Sequence, residues 1–334
     1  MRISLDEAAA RLKNGEVVAI PTETVYGLAA DATNDAALQQ IFTIKQRPAD
    51  HPLIVHISDI SQVQQWVTAF PELAVRLAKA FWPGALTLVL PAKAHVSRVV
   101  RGGESTVALR VPNHPLTQAL LKLSGLSVAA PSANLFTQLS PTTADHVETG
   151  LGDAIPVLDG GACSVGIEST IVSVSVDAQD EAHWQLLRPG MISEADIACV
   201  AGKPQYLNAV AAESASAPIL VPKVPGQHAL HYSPRTALFL FKDKTSLLSE
   251  CEKLMQKTLK CAALLIGEGE TIHYNLSELP RITLPDNPES VAEQLYGALH
   301  ALDDLKLDRL LVEMPPDAPE WAAVRDRLSR AGHH

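Results

Sequence analysis

Several short segments carry residue types and spacings that suit a charged ligand. Lys45-Gln46-Arg47-Pro48 offers two cations. Proline biases Arg47 toward extended backbone. With Lys45 extended as well, both cations point to one side and suit a polyphosphate. The competing reading is a solvated helix C-terminus whose Lys and Arg answer the helix dipole, and spacing alone favours it. Pro21-Thr22-Glu23-Thr24-Val25-Tyr26-Gly27-Leu28 sets two hydroxyls and a carboxylate directly after an apolar strand. Strand ends of this kind bind ligands in α/β folds, although a hydrogen-bonded turn explains Thr22 and Thr24 equally well. Pro131-Ser132-Ala133-Asn134 presents a hydroxyl and an amide after SVAA, and Ser140-Pro141-Thr142-Thr143 opens the next helix, where Ser140 or Thr142 serves as an N-cap. Glu168-Ser169-Thr170 and Arg188-Pro189-Gly190 are similar polar punctuation.

Taken together, these are strand ends rich in hydroxyls, with Lys45, Arg47, Arg110 and Arg188 as the available cations. No cysteine sits among them and no Ser-His-Asp order is present. The chemistry they fit is orientation of anions and stabilisation of charge, without a covalent enzyme intermediate. Neither G-x-x-x-x-G-K-[ST] nor a strand-to-helix G-x-G-x-x-G occurs, and Gly267-Glu268-Gly269 is too short and acidic to cradle phosphates.

The elements that must position these residues alternate from the start. Ser4 caps a helix through about Lys13, with Glu7 as its capping-box partner, and Asn14-Gly15 turns the chain into a strand over 17–21. Further strands are expected at 53–57, 86–90, 107–111, 128–131, 155–158 and 170–174, with helices at 35–45, 71–80, 115–123 and 142–148 between them. Several connections are too short for crossover helices, which predicts an α/β layer fold on a mixed sheet. From about 203 to 234 both periodicities fail. Pro218, Pro222, Pro225 and Pro234 mark a semi-rigid linker there. A second α/β rhythm follows, with strands at 237–241, 262–266 and 309–313 and helices at 246–258, 289–303 and 320–331. The expected organisation is a larger mixed-sheet domain over 1–202, a proline-rich linker over 203–235 and a smaller, mainly parallel domain over 236–334.

A chain of 334 residues buries a large core without staples. Its formal net charge of −10 opposes non-specific nucleic-acid binding, while a local basic pocket for a small anion remains open. The four cysteines are scattered, with no Cys-x-x-Cys pair, so neither a zinc site nor a disulfide framework is expected. Asp6, Glu7 and Lys13 break any leader-like apolar stretch, and no run of about 18 apolar residues exists. A cytoplasmic protein with no membrane association is expected.

In order, PTETVYGLAADA, KQRPADHPLIVHI, FWPGALTLVLP, TVALRVPNHP, APSAN, SPTTADHV, GIESTIV and LLRPG resemble the YrdC-like family. HYSP and the tail with NPESVAEQLYGALHALDDLKLDRLLVE resemble its longer two-domain members, the threonylcarbamoyl-AMP synthases. The resemblance covers nearly the whole chain. It implies a twisted mixed-sheet domain with a positive cavity, followed by a Rossmann-like domain. It also implies a reaction: L-threonine, bicarbonate or CO2, and ATP give threonylcarbamoyl-AMP and pyrophosphate. The product is then passed by a tRNA threonylcarbamoyl-transfer machinery to adenosine 37 of ANN-decoding tRNAs.

Carried over by residue, Lys45 and Arg47 match the family's K-x-R, and Ser132 and Asn134 its S-x-N. Lys45 and Arg47 are the expected catalytic cations. Arg47, His51, Thr106, Ser132, Asn134, Ser140, Arg188 and Tyr232 are the expected ATP contacts. Thr24, His56, Arg110, Ala130 and Ser169 are the expected threonine contacts, with Arg110 as the carboxylate clamp and Ala130 acting through its backbone. Mg2+ is expected with ATP and no protein-bound metal site is expected. For that reaction we expect carbamate formation at the threonine amine and attack of a carbamate oxygen on the α-phosphorus, with Lys45, Arg47 and Mg2+ neutralising charge and His56, as a lone histidine, a positioning donor.

The departures from the family pattern are local. His51 replaces the usual asparagine before PLI, Phe136-Thr137 replaces Ser-Gly after S-A-N, Gln227-His228-Ala229 replaces Met-Lys-Tyr in the linker, and the tail lacks a glycine-rich turn. Activity with altered linker behaviour is the expectation. The alternatives are an RNA-binding module using the basic cavity without turnover, a relative that takes serine, and a nucleotide-binding protein without chemistry.

Overall fold

The computed structural model describes residues 1–177, 179, 181–204, 222–226, 231–267 and 279–332. The first part of the chain runs β1 (Arg2–Ile3), α1 (Leu5–Lys13), β2 (Val18–Ile20), β3 (Gly27–Asp31), α2 (Asp35–Lys45), β4 (Ile54–His56), α3 (Val63–Trp66), α4 (Glu72–Phe81), β5 (Leu86–Pro91), β6 (Thr106–Arg110), α5 (Pro115–Ser124), β7 (Val128–Ala129), α6 (Ala144–Leu151), β8 (Val157–Leu158), β9 (Thr170–Val176), β10 (Ala182–Arg188) and α7 (Glu194–Ala201). These strands form one ten-stranded sheet in the order β1-β8-β2-β3-β7-β4-β6-β5-β9-β10. The sheet is mixed, as expected: β4 pairs with β6 and β5 with β9 in parallel, while β2–β3, β5–β6 and β9–β10 are antiparallel.

Layering follows from the side chains. The run LTLVLP of β5 is buried almost throughout and takes an interior position, between β6 and β9. β3 reads GLAAD, poor in strand-forming residues, and the sequence reading missed it. Its small side chains let both faces be covered. Leu28 and Ala30 join the core shared with α2 and α4, while Ala29 joins the core shared with α1 and α5. β10 was missed as well. It is an edge strand whose pairing partner β9 defines it, and its side chains are mostly half-buried. Ser4 caps α1 as expected, its Oγ accepting from Glu7 N.

After the linker come β11 (Leu238–Phe241), α8 (Lys244–Gln256), β12 (Cys261–Ile266), β13 (Arg281–Leu284), α9 (Pro288–Asp303), β14 (Arg309–Glu313) and α10 (Ala322–Ala331). Their four strands are all parallel, in the order β11-β14-β12-β13. β13, with only Leu284 fully buried, was not anticipated. The two sheets share a core, since Val25, Leu139, Ile167 and Tyr232 pack in one cluster with Leu295, Leu299 and Leu328. Gly166 fits against the backbone of α9, at Ala292 O and Glu293 Cα. Of the linker, 205–221 and 227–230 lie outside the described residues, and with them the departures at Gln227, His228 and Ala229. No helix of the described residues is long and apolar enough to cross a membrane.

Candidate functional site

The strand ends singled out by sequence converge on one cavity. Thr22, Thr24 and Gly27 enter from the β2–β3 connection, Arg47 from beyond α2, and His56 and Arg110 from the ends of β4 and β6. Ala130 and Ser132 follow β7, Ser169 precedes β9, and Arg188 closes β10. Pro225, Gly226, His231 and Tyr232 of the linker complete the wall. Thus Thr24, Arg47, His56, Arg110, Ala130, Ser132, Ser169, Arg188 and Tyr232 all face a single space. Lys45, Asn134 and Ser140 are buried behind it. His51 and Thr106 are not among its lining residues. Thr106 pairs with Pro91 in the β5–β6 ladder, and the His51 ring meets Phe136 edge-on at 5.3 Å.

Two expectations about local backbone are corrected. Lys45 is not extended: it is the last residue of α2, and Gln46 ends the helix in the left-handed region at φ 52°. The apolar face of α2 continues through Lys45, so the lysine is buried and not a solvated terminus either. Its Nζ donates to the carbonyls of Ser132 and Asn134, both at 2.5 Å, and so ties α2 to the S-A-N loop. The N-cap of α6 is Thr143, whose Oγ1 accepts from His146 N, leaving Ser140 and Thr142 for other partners. Ser140 Oγ donates to Glu168 Oε1 at 2.6 Å.

The cations are held by neutral oxygens for the most part. Arg188 donates from Nε to Ser169 O at 3.0 Å, from Nη2 to Ser169 Oγ at 3.1 Å, and from Nη1 to Pro225 O at 3.1 Å. Arg47 donates from Nη2 to Pro52 O at 3.0 Å. Arg110 donates from Nε to Gly84 O and from Nη1 to Thr24 Oγ1, and its Nη2 lies 2.7 Å from Glu23 Oε1 in an ion pair too bent to be a hydrogen bond. Burial drives the electrostatics. It pulls Arg47 down to about 10, and it pulls Lys45 well below the usual lysine value with Arg47 adding to the effect. His56 falls to about 3, through burial first and then the Arg110 charge, so its ring is neutral near pH 7.

Several polar atoms in this wall are unpaired. Arg47 Nε, His56 Nδ1, His231 Nδ1 and Tyr232 Oη are buried with no hydrogen-bond partner. Each unsatisfied buried group costs about 1–3 kcal/mol, a cost that a bound polar ligand would offset.

Sequence reading gave no site role to two of the lining residues, His231 and Glu168. Glu168 lines the cavity and pairs with Arg327 of α10, whose Nε donates to Glu168 Oε2 at 2.7 Å. Tyr296 of α9 donates to the same carboxylate at 3.1 Å. Arg327 had no signal: in VRDRL it reads as one more charge on a solvated helix face, yet it is 1% exposed.

Residues 10–190, which hold every first-domain residue of the cavity wall, match the Sua5–YciO–YrdC family model, described as telomere recombination. The chain belongs to this family. Residues 192–332 match a second model, the threonylcarbamoyl-AMP synthase C-terminal domain. Family members of similar length include a Bacillus subtilis protein named threonylcarbamoyl-AMP synthase. It is 40% identical over 327 residues, covering 97% of this chain and 92% of the relative. A Pyrococcus abyssi protein of the same name is 37% identical over 328 residues, again with 97% and 92% coverage. In structure, P. abyssi Sua5 crystallised with L-threonine matches with a TM-score of 0.83 and 34% identity, over 99% of this chain and 96% of that one.

Proposed function

We propose that this chain synthesises L-threonylcarbamoyl-AMP from L-threonine, bicarbonate or CO2, and ATP, releasing pyrophosphate, and that the cavity described above is its active site. The carrying observation is the convergence of Arg47 Nε, His56 Nδ1, His231 Nδ1 and Tyr232 Oη, all buried and unpaired, on a space also faced by Arg110 and Arg188. Such a wall is built for a polar, anionic ligand and is costly without one.

ATP takes the side bounded by Arg47, Ser132, Arg188 and Tyr232, with Asn134 and Ser140 in support behind it and His51 and Thr106 as outer contacts. Lys45 adds charge and fixes the S-A-N loop through its two carbonyl bonds. L-Threonine takes the side bounded by Thr24, His56, Arg110, Ser169 and the Ala130 backbone. Arg110 is the carboxylate clamp, because a guanidinium fork meets both oxygens of a carboxylate. The threonine amine adds to CO2 and loses a proton, giving a carbamate. A carbamate oxygen then attacks the α-phosphorus while the bond to the pyrophosphate oxygen breaks. Holding two substrates in one closed space supplies much of the acceleration, and Lys45, Arg47 and Arg188 offset charge that develops on the phosphates. His56 orients rather than accepts the proton, since a ring titrating near 3 is a poor base at neutral pH.

Mg2+ arrives as part of MgATP. Both carboxylates nearest the cavity are engaged, Glu23 by Arg110 and Glu168 by Arg327. Among the described residues the group with metal-ligand spacing is Asp177, Glu181 and His183, at the far end of the β9–β10 hairpin. Phosphate oxygens and water would then supply the ligands of the ion, which would offset charge on the phosphates. The linker segments at Pro225–Gly226 and His231–Tyr232 cover the cavity, so substrate entry requires them to move. In the cytoplasm the product feeds the threonylcarbamoyl modification of adenosine 37 through a separate transfer machinery, with direct tRNA contact weak at most. The RNA-binding alternative is not favoured: Arg47, Arg110 and Arg188 are 7%, 3% and 4% exposed, so a nucleic-acid backbone cannot lie across them. The test is mass detection of threonylcarbamoyl-AMP in quenched mixtures of the protein with MgATP, bicarbonate and threonine. Its absence from a folded, ATP-binding preparation would refute the proposal.

A further inference from the structure

Arg327 of the second domain reaches into the wall of the first domain's cavity. Its Nε donates to Glu168 Oε2 at 2.7 Å and its Nη2 to the Glu168 carbonyl at 3.2 Å. The rest of the carboxylate is also occupied. Oε1 accepts from Ser140 Oγ at 2.6 Å, and Tyr296 Oη lies 3.3 Å from Oε1 and 3.1 Å from Oε2. A second buried arginine, Arg188, donates to the carbonyl and hydroxyl of Ser169, the next residue along. Both Glu168 and Arg188 line the cavity. One carboxylate thus pairs with a buried arginine of one domain and adjoins the residue that holds a buried arginine of the other.

A carboxylate in the wall of an anion-binding cavity is a liability. It repels phosphate, and it competes with phosphate for any guanidinium within reach, because Arg pairs with either group through the same fork. The competition is strong here because burial removes the water that would screen it. Against its burial, the Arg327 charge and then the Arg188 charge hold the Glu168 carboxyl below the usual carboxylate range. Arg327 has a second anchor in Asp326, at 2.7 Å from Nη1, and its guanidinium lies 5.2 Å from the centroid of the Tyr232 ring, so it is fixed independently of Glu168.

We propose that Arg327 is a positioning residue for the nucleotide: by saturating Glu168 it prevents that carboxylate from pairing with Arg188, and so leaves Arg188 to the phosphates of ATP. The proposal rests on the assignment of Arg188 to the nucleotide site. It gives the second domain a part in the active site through charge, without contact between that domain and the substrate.

The test is the KM for ATP, measured on the full chain with folding checked by circular dichroism and a cooperative melt. Arg327→Met frees Glu168 to capture Arg188, and KM for ATP rises about tenfold, with KM for threonine changing less than about threefold. Adding Glu168→Gln removes the competitor, and E168Q/R327M recovers a KM for ATP within about threefold of wild type. A purely structural arginine does the reverse, since the second substitution then repairs nothing. A folded Arg327→Met protein with wild-type KM for ATP, or a double variant as impaired as the single, overturns the proposal. If Arg327→Met does not fold, E168Q is compared with E168Q/R327M, neither of which leaves an unpaired carboxylate. Equal KM values support the proposal and a tenfold gap overturns it. Arg188→Ala separates the two levels: an unchanged KM for ATP there refutes the site assignment itself, whatever Arg327→Met does.

Discussion

A Cβ on Gly226 would stand 2.3 Å from Oη of Tyr232 and 3.3 Å from Cδ and Nη1 of Arg188, at a backbone φ of +87°. The linker therefore packs against its own later residue and against a cavity arginine at a point where only glycine fits. Gly226→Ala is expected to displace Tyr232 from the cavity wall and lower kcat/KM for ATP at least about tenfold. The fold of the first domain should persist, read by an unchanged far-ultraviolet spectrum. Wild-type kinetics for Gly226→Ala would show that this contact has no part in turnover.

Arg110 is oriented by Nε on Gly84 O and Nη1 on Thr24 Oγ1, while Nη2, paired in charge with Glu23, makes no hydrogen bond. A lysine keeps the charge and loses the fork. Arg110→Lys is expected to raise KM for threonine by about tenfold to a hundredfold, equivalent to roughly 1.5–3 kcal/mol for hydrogen bonds to a charged group, with a smaller change in KM for ATP. Equal effects on both substrates would argue against a carboxylate clamp.

Gly166 meets α9 without room for a side chain. A Cβ there would lie 2.3 Å from Ala292 O and 2.4 Å from Glu293 Cα, both rigid backbone atoms, and φ is +79°. Gly166→Ala is expected to cost about 2 kcal/mol or more, because helix and loop must separate. Differential scanning calorimetry reads this as a lower melting temperature.

Much of this architecture was legible in sequence. The apolar run of β5 and the Ser4 cap announced their elements directly, and the hydroxyl-rich strand ends named most of the cavity. What was not legible depends on tertiary context. The strand β3 is built from alanines that suit close helix packing rather than strand propensity. Lys45 was read as extended or solvated, because nothing in K-Q-R-P shows that a left-handed Gln46 turns the chain just after a buried lysine. Arg327 and Glu168 lie 159 residues apart, and only the docking of the two domains pairs them.

His146 and His300 stack between the domains with ring centroids 4.0 Å apart. Burial, then the neighbouring ring, lowers His146 to about 4, and burial lowers His300, against smaller opposing effects of Asp145, Asp303 and Asp304. Both rings are neutral in the fold but protonate in the unfolded chain below about pH 6.5. The unfolded state thus binds more protons between about pH 6.5 and 4, and stability is full above that window and falls as pH drops through it. The buried His56 and His231, each near 3, act in the same direction. Melting temperature should fall from pH 7 to 4.5, with a shallower slope for H146Q/H300Q. Parallel slopes would exclude the stack as a contributor.

The central claim is that the cavity joins threonine to ATP, and pyrophosphate release tests it most directly. It is measured with MgATP and bicarbonate, with threonine present, absent or replaced by serine, in wild type, Arg47→Ala and Arg188→Ala. The account predicts release that depends on threonine in wild type and falls by at least about a hundredfold in both variants. Serine should support slower release, since one methyl group is worth about 1–3 kcal/mol. Release that ignores threonine, or that survives both substitutions at the wild-type rate, would contradict it.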